Sequence, residues 1–283
     1  MLDDGPMSVR TSRQSSSRRS TKCERPADAA LVAEVVRRLE DAYGLPEWRP
    51  HGDAVGELIL TILSQNTSDA NSGRAFVRLL ERYPSWDAVA EAPLSDLIAA
   101  IQPGGLAPTK APRIQAALRD IHDRLGSYDL GFLREMPLPD GRVWLRQIHG
   151  VGPKTVACVL MFALGRPAMP VDTHVFRVAS RLGLIPARTA TAAMTAEKAH
   201  ELLEAIVPER LVYAFHLALI KHGRRTCTAQ RPACPRCVLV DLCPSPAVYY
   251  PELRRRDRRP LKVSTAPGRR ADPQAPSKRT RKP

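Results

Sequence analysis

The chain is poor in aromatic residues. Phe, Trp and Tyr make up 5% of its 283 residues, too few for a sheet that stacks RNA bases on rings. No run approaches about 18 uninterrupted apolar residues, so no membrane-spanning helix is expected. The opening MLDDGPMSVRTSRQSSSRRS lacks the apolar stretch of a secretory signal, and none is expected. No long segment alternates apolar and polar residues, which leaves little that reads as a half-buried strand. No repeat recurs at a fixed period. What remains is a globular composition, 43% hydrophobic and 25% charged, able to bury a core.

Acidic residues are the minority. Lys and Arg number 43 against 29 Asp and Glu, a formal charge of +14. Such a balance points to a polyanionic partner, but the excess is at the ends. Residues 1–25 hold six basic and three acidic residues, and 252–283 hold twelve and three, leaving 25 against 23 for the body. Both ends are also short of apolar residues, one Ser/Arg-rich and the other Arg/Pro-rich. Neither buries enough surface to offset its ordering entropy, so 1–26 and 247–283 are expected to be disordered tails. The compact C-terminal basic run is expected to attract nucleic acid nonspecifically.

The body reads as all-α. Leu31, Val35, Leu39 and Ala42 fall on one face of a helix over 28–43. Similar stripes cover 54–64, 70–82, 94–101, 109–125, 153–165, 174–183, 196–206 and 210–221, with Pro and Gly marking the gaps.

Four of six cysteines lie together: Cys227, Cys234, Cys237 and Cys243, spaced C-x6-C-x2-C-x5-C. A disulfide framework suits small secreted domains with thin cores, unlike this helical body. Thiolates this close need a metal to offset their repulsion. Zinc usually takes two short knuckles, and only Cys234 and Cys237 form one. A single run of four thiolates also suits a [4Fe–4S] cube, and spacing leaves both open. Cys23, in a tail, and Cys158, on a helix, are not read as ligands.

Residues 148–156, Ile-His-Gly-Val-Gly-Pro-Lys-Thr-Val, predict one helix ending near Gln147 and another starting at Pro153. Gly150 and Gly152 permit a tight turn and close approach to a ligand. The free amides of the new helix then form an anion site, able to hold a DNA phosphate without reading a base. An ordinary αα-turn would have the same sequence. Lys154 follows at the second helical position. A helix N-terminus disfavours an ammonium, so a partly buried lysine there is a candidate amine nucleophile. Asp172, in Val171-Asp172-Thr173-His174, is both a good N-cap and the carboxylate that Schiff-base chemistry needs. His174 reads as structural rather than catalytic.

Together these pieces resemble the endonuclease III family of base-excision DNA glycosylases over about residues 28–246. The GVGPKT hairpin with its lysine, the VDTH motif and the cysteine run carry the resemblance. It implies two helical domains with DNA in the cleft between them. One is a six-helix barrel over 52–166 containing the helix–hairpin–helix. The other joins 27–51 to 167–246 and holds a [4Fe–4S] cluster on Cys227, Cys234, Cys237 and Cys243. It implies that Lys154 attacks C1′ of a flipped nucleotide, with Asp172 assisting proton transfer, and that β-elimination then nicks the strand. The stretch ELILTILSQNTSD resembles the family's polar-wedge motif and GLAPTKA its apolar-wedge loop. Gln65 or Asn66, and Leu106, are thereby implied to fill the hole left by the flipped base.

The same resemblance implies DNA contacts from Gly150, Gly152, Thr155, His174 and Arg231. Ser64-Gln65-Asn66 departs from the usual Ser-Ala-Gln or Ser-Ser-Gln, and His149 replaces a common Pro; both changes bear on damage preference. The implied activity is removal of oxidised pyrimidines from double-stranded damaged DNA by a bifunctional glycosylase/AP lyase. The chain is expected to be a monomer away from membranes, cytoplasmic and nucleoid-associated, with organelle targeting less favoured. A UV-dimer glycosylase/lyase would share every motif. Adenine and thymine mismatch glycosylases of the superfamily lack a lysine at position 154. From another class, the alternative is a non-catalytic DNA-binding iron–sulfur redox sensor.

Overall fold

The computed structural model describes residues 26–185 and 196–251. Among them every regular element is helical: α1 (Pro26–Tyr43), α2 (Ala54–Ser64), α3 (Asp69–Arg82), α4 (Trp86–Glu91), α5 (Leu94–Ile101) and α6 (Ala107–Leu125). There follow α7 (Leu138–Arg146), α8 (Pro153–Cys158), α9 (Thr173–Arg181), α10 (Ala196–Glu204), α11 (Val212–Arg225) and α12 (Pro246–Tyr249). Short polar side chains start several of them. Asp53 caps α2 through Gly56 N at 2.6 Å, and Ser68 and Ser85 cap α3 and α4 in the same way. Gly126, with φ 63°, stops α6.

Two hydrophobic cores form. The first gathers α2 to α8 around α2, whose Val55, Leu58, Ile59, Ile62 and Leu63 are buried. A helix apolar on nearly every face belongs at such a centre. Truncating Leu58 there would cost about 2–5 kcal/mol. The second core joins Val32, Val35, Val36 and Leu39 of α1 to α9, α10 and α11 around Phe215. The chain thus starts in the second core, builds the first, and returns.

Three expectations change. The helix expected over 153–165 is α only to Cys158, and Val159–Ala163 then wind as a π-helical turn. Trp48 is its partner: the indole donates to Met161 O at 2.9 Å, and its ring lies where a Cβ on Gly165 would be, 3.1 Å away. Helices α4 and α12 had no recognised stripe, being too short to show a period. Residues 247–250, expected in the C-terminal tail, complete α12 and its cap. Tyr249 lies under Arg181, 4.7 Å from ring centroid to guanidinium, and Tyr250 donates to Pro232 O at 3.0 Å. Aromatic rings anchor this stretch where composition counted only charge. Pro26, expected in the N-terminal tail, opens α1 and Pro251 is also described, while residues 1–25 and 252–283 lie outside the described residues.

Candidate DNA-binding and catalytic site

The hairpin forms as the glycines demand. After α7 the chain turns through Gly150 at φ 77°, and Val151 N donates to Ile148 O at 3.1 Å. Gly152 starts α8 with no side-chain cap, which suits a phosphate ligand for the leading amides. Thr155 is buried, so a DNA contact from it falls to its backbone amide and not its hydroxyl. Lys154 is exposed rather than partly buried.

Asp172 stands at the start of α9, where Oδ1 accepts from Val175 N at 2.7 Å. The cap uses one carboxylate oxygen, so capping and chemistry are compatible. Around it the charges converge. Burial pushes the Cys158 thiol up to about 12, against the nearby Lys154 ammonium and with Glu57 and Asp172 adding to the rise. His216, fully buried, is pushed down to about 4 by desolvation, and its Nδ1 donates to Pro170 O at 2.9 Å. His174 accepts from Arg177 Nη2 at 3.0 Å, and burial lowers its pKa. Gly223 of α11 lets α9 come this close: a Cβ there would lie 3.0 Å from that of His174.

Residues to which the sequence reading gave no role join this site. Asp69, in the first turn of α3, is bound by Arg224 of α11 and feels the charges of Lys154 and His174. The Arg224 guanidinium, first among these, holds the Asp69 carboxyl below its usual range. Glu57 of α2 is 5% exposed. Its Oε1 accepts from Thr61 at 3.2 Å, its Oε2 accepts no hydrogen bond and lies 3.4 Å from His51 Nδ1, and burial pushes its pKa up to about 7. Glu57 and Asp69 are the two ends of the ELILTILSQNTSD stretch quoted for its wedge, but no spacing rule within it gives either residue a role.

The wedge candidates have an unusual backbone. Among described non-glycine residues, only Asn66 (φ 54°) and Leu106 (φ 52°) have positive φ. Both are exposed, Leu106 at 54%. Such strain in exposed residues is characteristic of functional loops. Gln65 is half-buried, caps the end of α2 and lies 3.5 Å from Arg113 Nη1. Of Gln65 and Asn66, only Asn66 has the positive φ.

Cys227, Cys234, Cys237 and Cys243 are free thiols that line one cavity, with Val178, Leu182 and Leu239 among its walls. Burial raises Cys237 to about 11, and the other three cysteines add to the rise. Donors already face the sulfurs: Arg181 Nη1 is 3.2 Å from Cys227 Sγ, and Leu239 N is 3.4 Å from Cys237 Sγ. Among the described residues no three His, Cys, Asp or Glu side chains converge as a single-ion site. Four thiols around one cavity, with N–H donors aimed at sulfur, suit a larger sulfur-ligated group. Arg231 is exposed in the loop between the first two cysteines, and its carbonyl accepts from Thr228 Oγ1 at 2.7 Å.

A helical fold in two cores, a phosphate-ready hairpin, and a lysine and an aspartate that both act on the buried Cys158 point to a helix–hairpin–helix DNA glycosylase. Comparison with known proteins agrees: residues 59–205 match the model of the HhH-GPD superfamily base excision DNA repair proteins. Endonuclease III of Thermotoga maritima is 33% identical over 213 residues, 75% of this chain and 90% of that one. An Arabidopsis thaliana protein named as a candidate DNA glycosylase is 40% identical over 167 residues; they cover 59% of this chain but 55% of that protein. A solved non-covalent complex of endonuclease III with DNA matches with TM-score 0.64 and 29% identity, over 77% of this chain and 95% of that one. The chain belongs to the HhH-GPD superfamily and is an endonuclease III-like DNA glycosylase of base excision repair. Among the described residues no helix is long and apolar enough to cross a membrane.

Proposed function

We propose that the chain is a bifunctional DNA glycosylase/AP lyase that removes oxidised pyrimidines from double-stranded DNA as a monomer. The observation that carries this reading is Lys154 exposed at the start of α8, beside the hairpin and in the field of Asp69, with Asp172 and Lys154 both acting on the buried Cys158. The hairpin amides at Gly150, Gly152 and Thr155 hold a phosphate. Asn66 and Leu106 enter the duplex as the damaged nucleotide leaves the stack, because C1′ is out of reach inside a helix.

Lys154 Nζ, as free amine, then forms a bond to C1′. The C1′–N bond breaks and the base departs with its electron pair and a proton. Ring opening gives a Schiff base between Nζ and C1′. Loss of a proton from C2′ expels the 3′ phosphate with the C3′–O electrons and nicks the strand. Asp172 carries protons in these steps and stabilises the cationic sugar. The same domain boundaries are proposed as from sequence, 52–166 against 27–51 with 167–246, and DNA lies in the cleft between them.

Cys227, Cys234, Cys237 and Cys243 are proposed to hold a [4Fe–4S] cluster. Bound there, the group braces residues 227–243 by sulfur–iron bonds. The chain's own part is to present Arg231 to DNA phosphate, while His174 supports the start of α9.

Borohydride trapping on duplexes with thymine glycol, 5-hydroxycytosine, pyrimidine dimers, uracil or adenine opposite 8-oxoguanine tests this reading. A crosslink on the oxidised pyrimidines, lost in Lys154→Gln with damaged-DNA binding kept within about tenfold, is expected, since the hairpin amides do not depend on that side chain. Trapping only on dimers would reassign the substrate. A Schiff base in Lys154→Gln would mean another nucleophile. No trapping on any substrate, an abasic site included, would favour a non-catalytic sensor.

A further inference from the structure

Lys110 is a charged residue 2% exposed, on the first turns of α6. Its Nζ donates to Leu63 O at 2.6 Å and to Gly104 O at 2.8 Å. Leu63 O belongs to the last turn of α2, where carbonyls lack a helical partner. Gly104 O ends the 3₁₀ turn Gln102–Gly104. One ammonium therefore satisfies two carbonyls that would otherwise be stranded in the interior.

The positions of those carbonyls give the bond its meaning. Asn66 follows Leu63 by three residues, and Leu106 follows Gly104 by two. These are the two strained, exposed residues described above. The loops also pack directly on each other: a Cβ on Gly104 would lie 3.1 Å from that of Ala75 and 3.8 Å from Leu63 Cδ2. Packed this closely and bridged by one ammonium, the loops cannot drift apart without breaking at least one of the Lys110 bonds. Arg113, one turn on, makes a longer contact with Gln65 from the same helix.

We propose that Lys110 is a positioning residue that locks the Asn66 and Leu106 loops at a fixed spacing, so that both side chains enter the duplex together at one lesion. The inference rests on the reading of Asn66 and Leu106 as inserting residues. Lys110 touches neither DNA nor the reacting atoms. Its effect is confined to substrates that must be unstacked, and a general structural role would not have that selectivity.

The test uses the full-length, cluster-loaded protein and Lys110→Met, which keeps the apolar stem and removes the charge. Two substrates are compared at saturating enzyme: a duplex with paired thymine glycol, and a single-stranded oligonucleotide with a preformed abasic site, which needs no insertion. 2-Aminopurine opposite the lesion reports unstacking of the duplex. Lys110→Met should slow excision from the duplex at least tenfold and at least halve the 2-aminopurine signal. Nicking of the single strand should change less than threefold.

Equal slowing on both substrates, or undiminished duplex excision, would overturn the role. If Lys110→Met loses its helical circular dichroism, Lys110→Gln, which can still donate to one carbonyl, is judged by the same criteria. Asn66→Ala and Leu106→Ala separate the two levels. If they leave duplex excision unchanged, the wedge reading fails, and this inference with it. If they slow it while Lys110→Met does not, only the role of Lys110 fails.

Discussion

Arg224 grips both carboxylate oxygens of Asp69, with Nη1 to Oδ2 at 2.6 Å and Nη2 to Oδ1 at 3.1 Å, tying the end of α11 to the start of α3. The two sit in different hydrophobic halves of the molecule, next to the proposed nucleophile.

Both side chains are substantially exposed, so the pair itself contributes at most about 1 kcal/mol to stability. Arg224→Ala should therefore melt within a few degrees of the parent. It leaves Asp69 as an uncompensated negative charge where phosphates arrive, and affinity for damaged duplex should fall severalfold or more at low salt. Asp69→Asn in the same background should restore much of that affinity. A stability loss well above 1 kcal/mol, or unchanged affinity, would contradict this account.

Asp172→Asn separates capping from chemistry. The amide caps a helix about as well as the carboxylate, so the melting temperature should hardly move. Turnover should fall by roughly 10²–10⁴, the usual contribution of a positioned acid–base group. The reverse pattern, a large stability loss with turnover intact, would make Asp172 a cap alone.

Glu57 has a raised pKa, about 7 against an ordinary 4.5, because burial disfavours its charged form. Between about pH 4.5 and 7 the unfolded chain has released this proton and the folded chain still holds it. Native stability should therefore fall as pH rises through that window, by roughly 3 kcal/mol in all. Glu57→Gln removes the effect, so its stability relative to the parent should climb over the same window and level off above pH 7. Urea titrations at several pH values measure it, and parallel curves would show that Glu57 ionises freely.

The C-terminal basic run should govern nonspecific affinity and not catalysis. A chain ending at Pro251 loses nine net positive charges. If these neutralise about three to five phosphates, the slope of log affinity against log salt should flatten by roughly 3–4. Single-turnover rates at saturating enzyme should change less than about twofold. The difference should vanish near 0.5 M salt, where the Debye length is about 4 Å. Identical slopes would mean that the run only aids solubility.

The parts of this molecule legible in sequence are those fixed by local rules. Gly150 at positive φ, Pro153 opening α8 and Asp172 capping α9 follow from what their backbones permit. The helices with a long apolar stripe, such as α1 and α6, were readable from period alone. Helix α4 has six residues and α12 four, too few to establish one. The π-helical turn after Cys158 answers to Trp48, more than a hundred residues away. Lys110 beneath two loops and Arg224 on Asp69 are likewise long-range pairings, and each of these residues alone looks like a solvated charge. Lys154 shows the converse error: its place in the chain was legible, but its exposure depends on how α8 packs.

Asn66 and Leu106 keep side chains in a backbone region that suits glycine. Each costs of order 1 kcal/mol or more relative to a relaxed turn. A search for heat-resistant variants that scored only melting temperature would be drawn to glycine at both positions. It would return a sturdier fold without the two side chains proposed to insert. On the proposed roles, the strain at these positions sets a ceiling on how far this fold can be stabilised with both side chains in place.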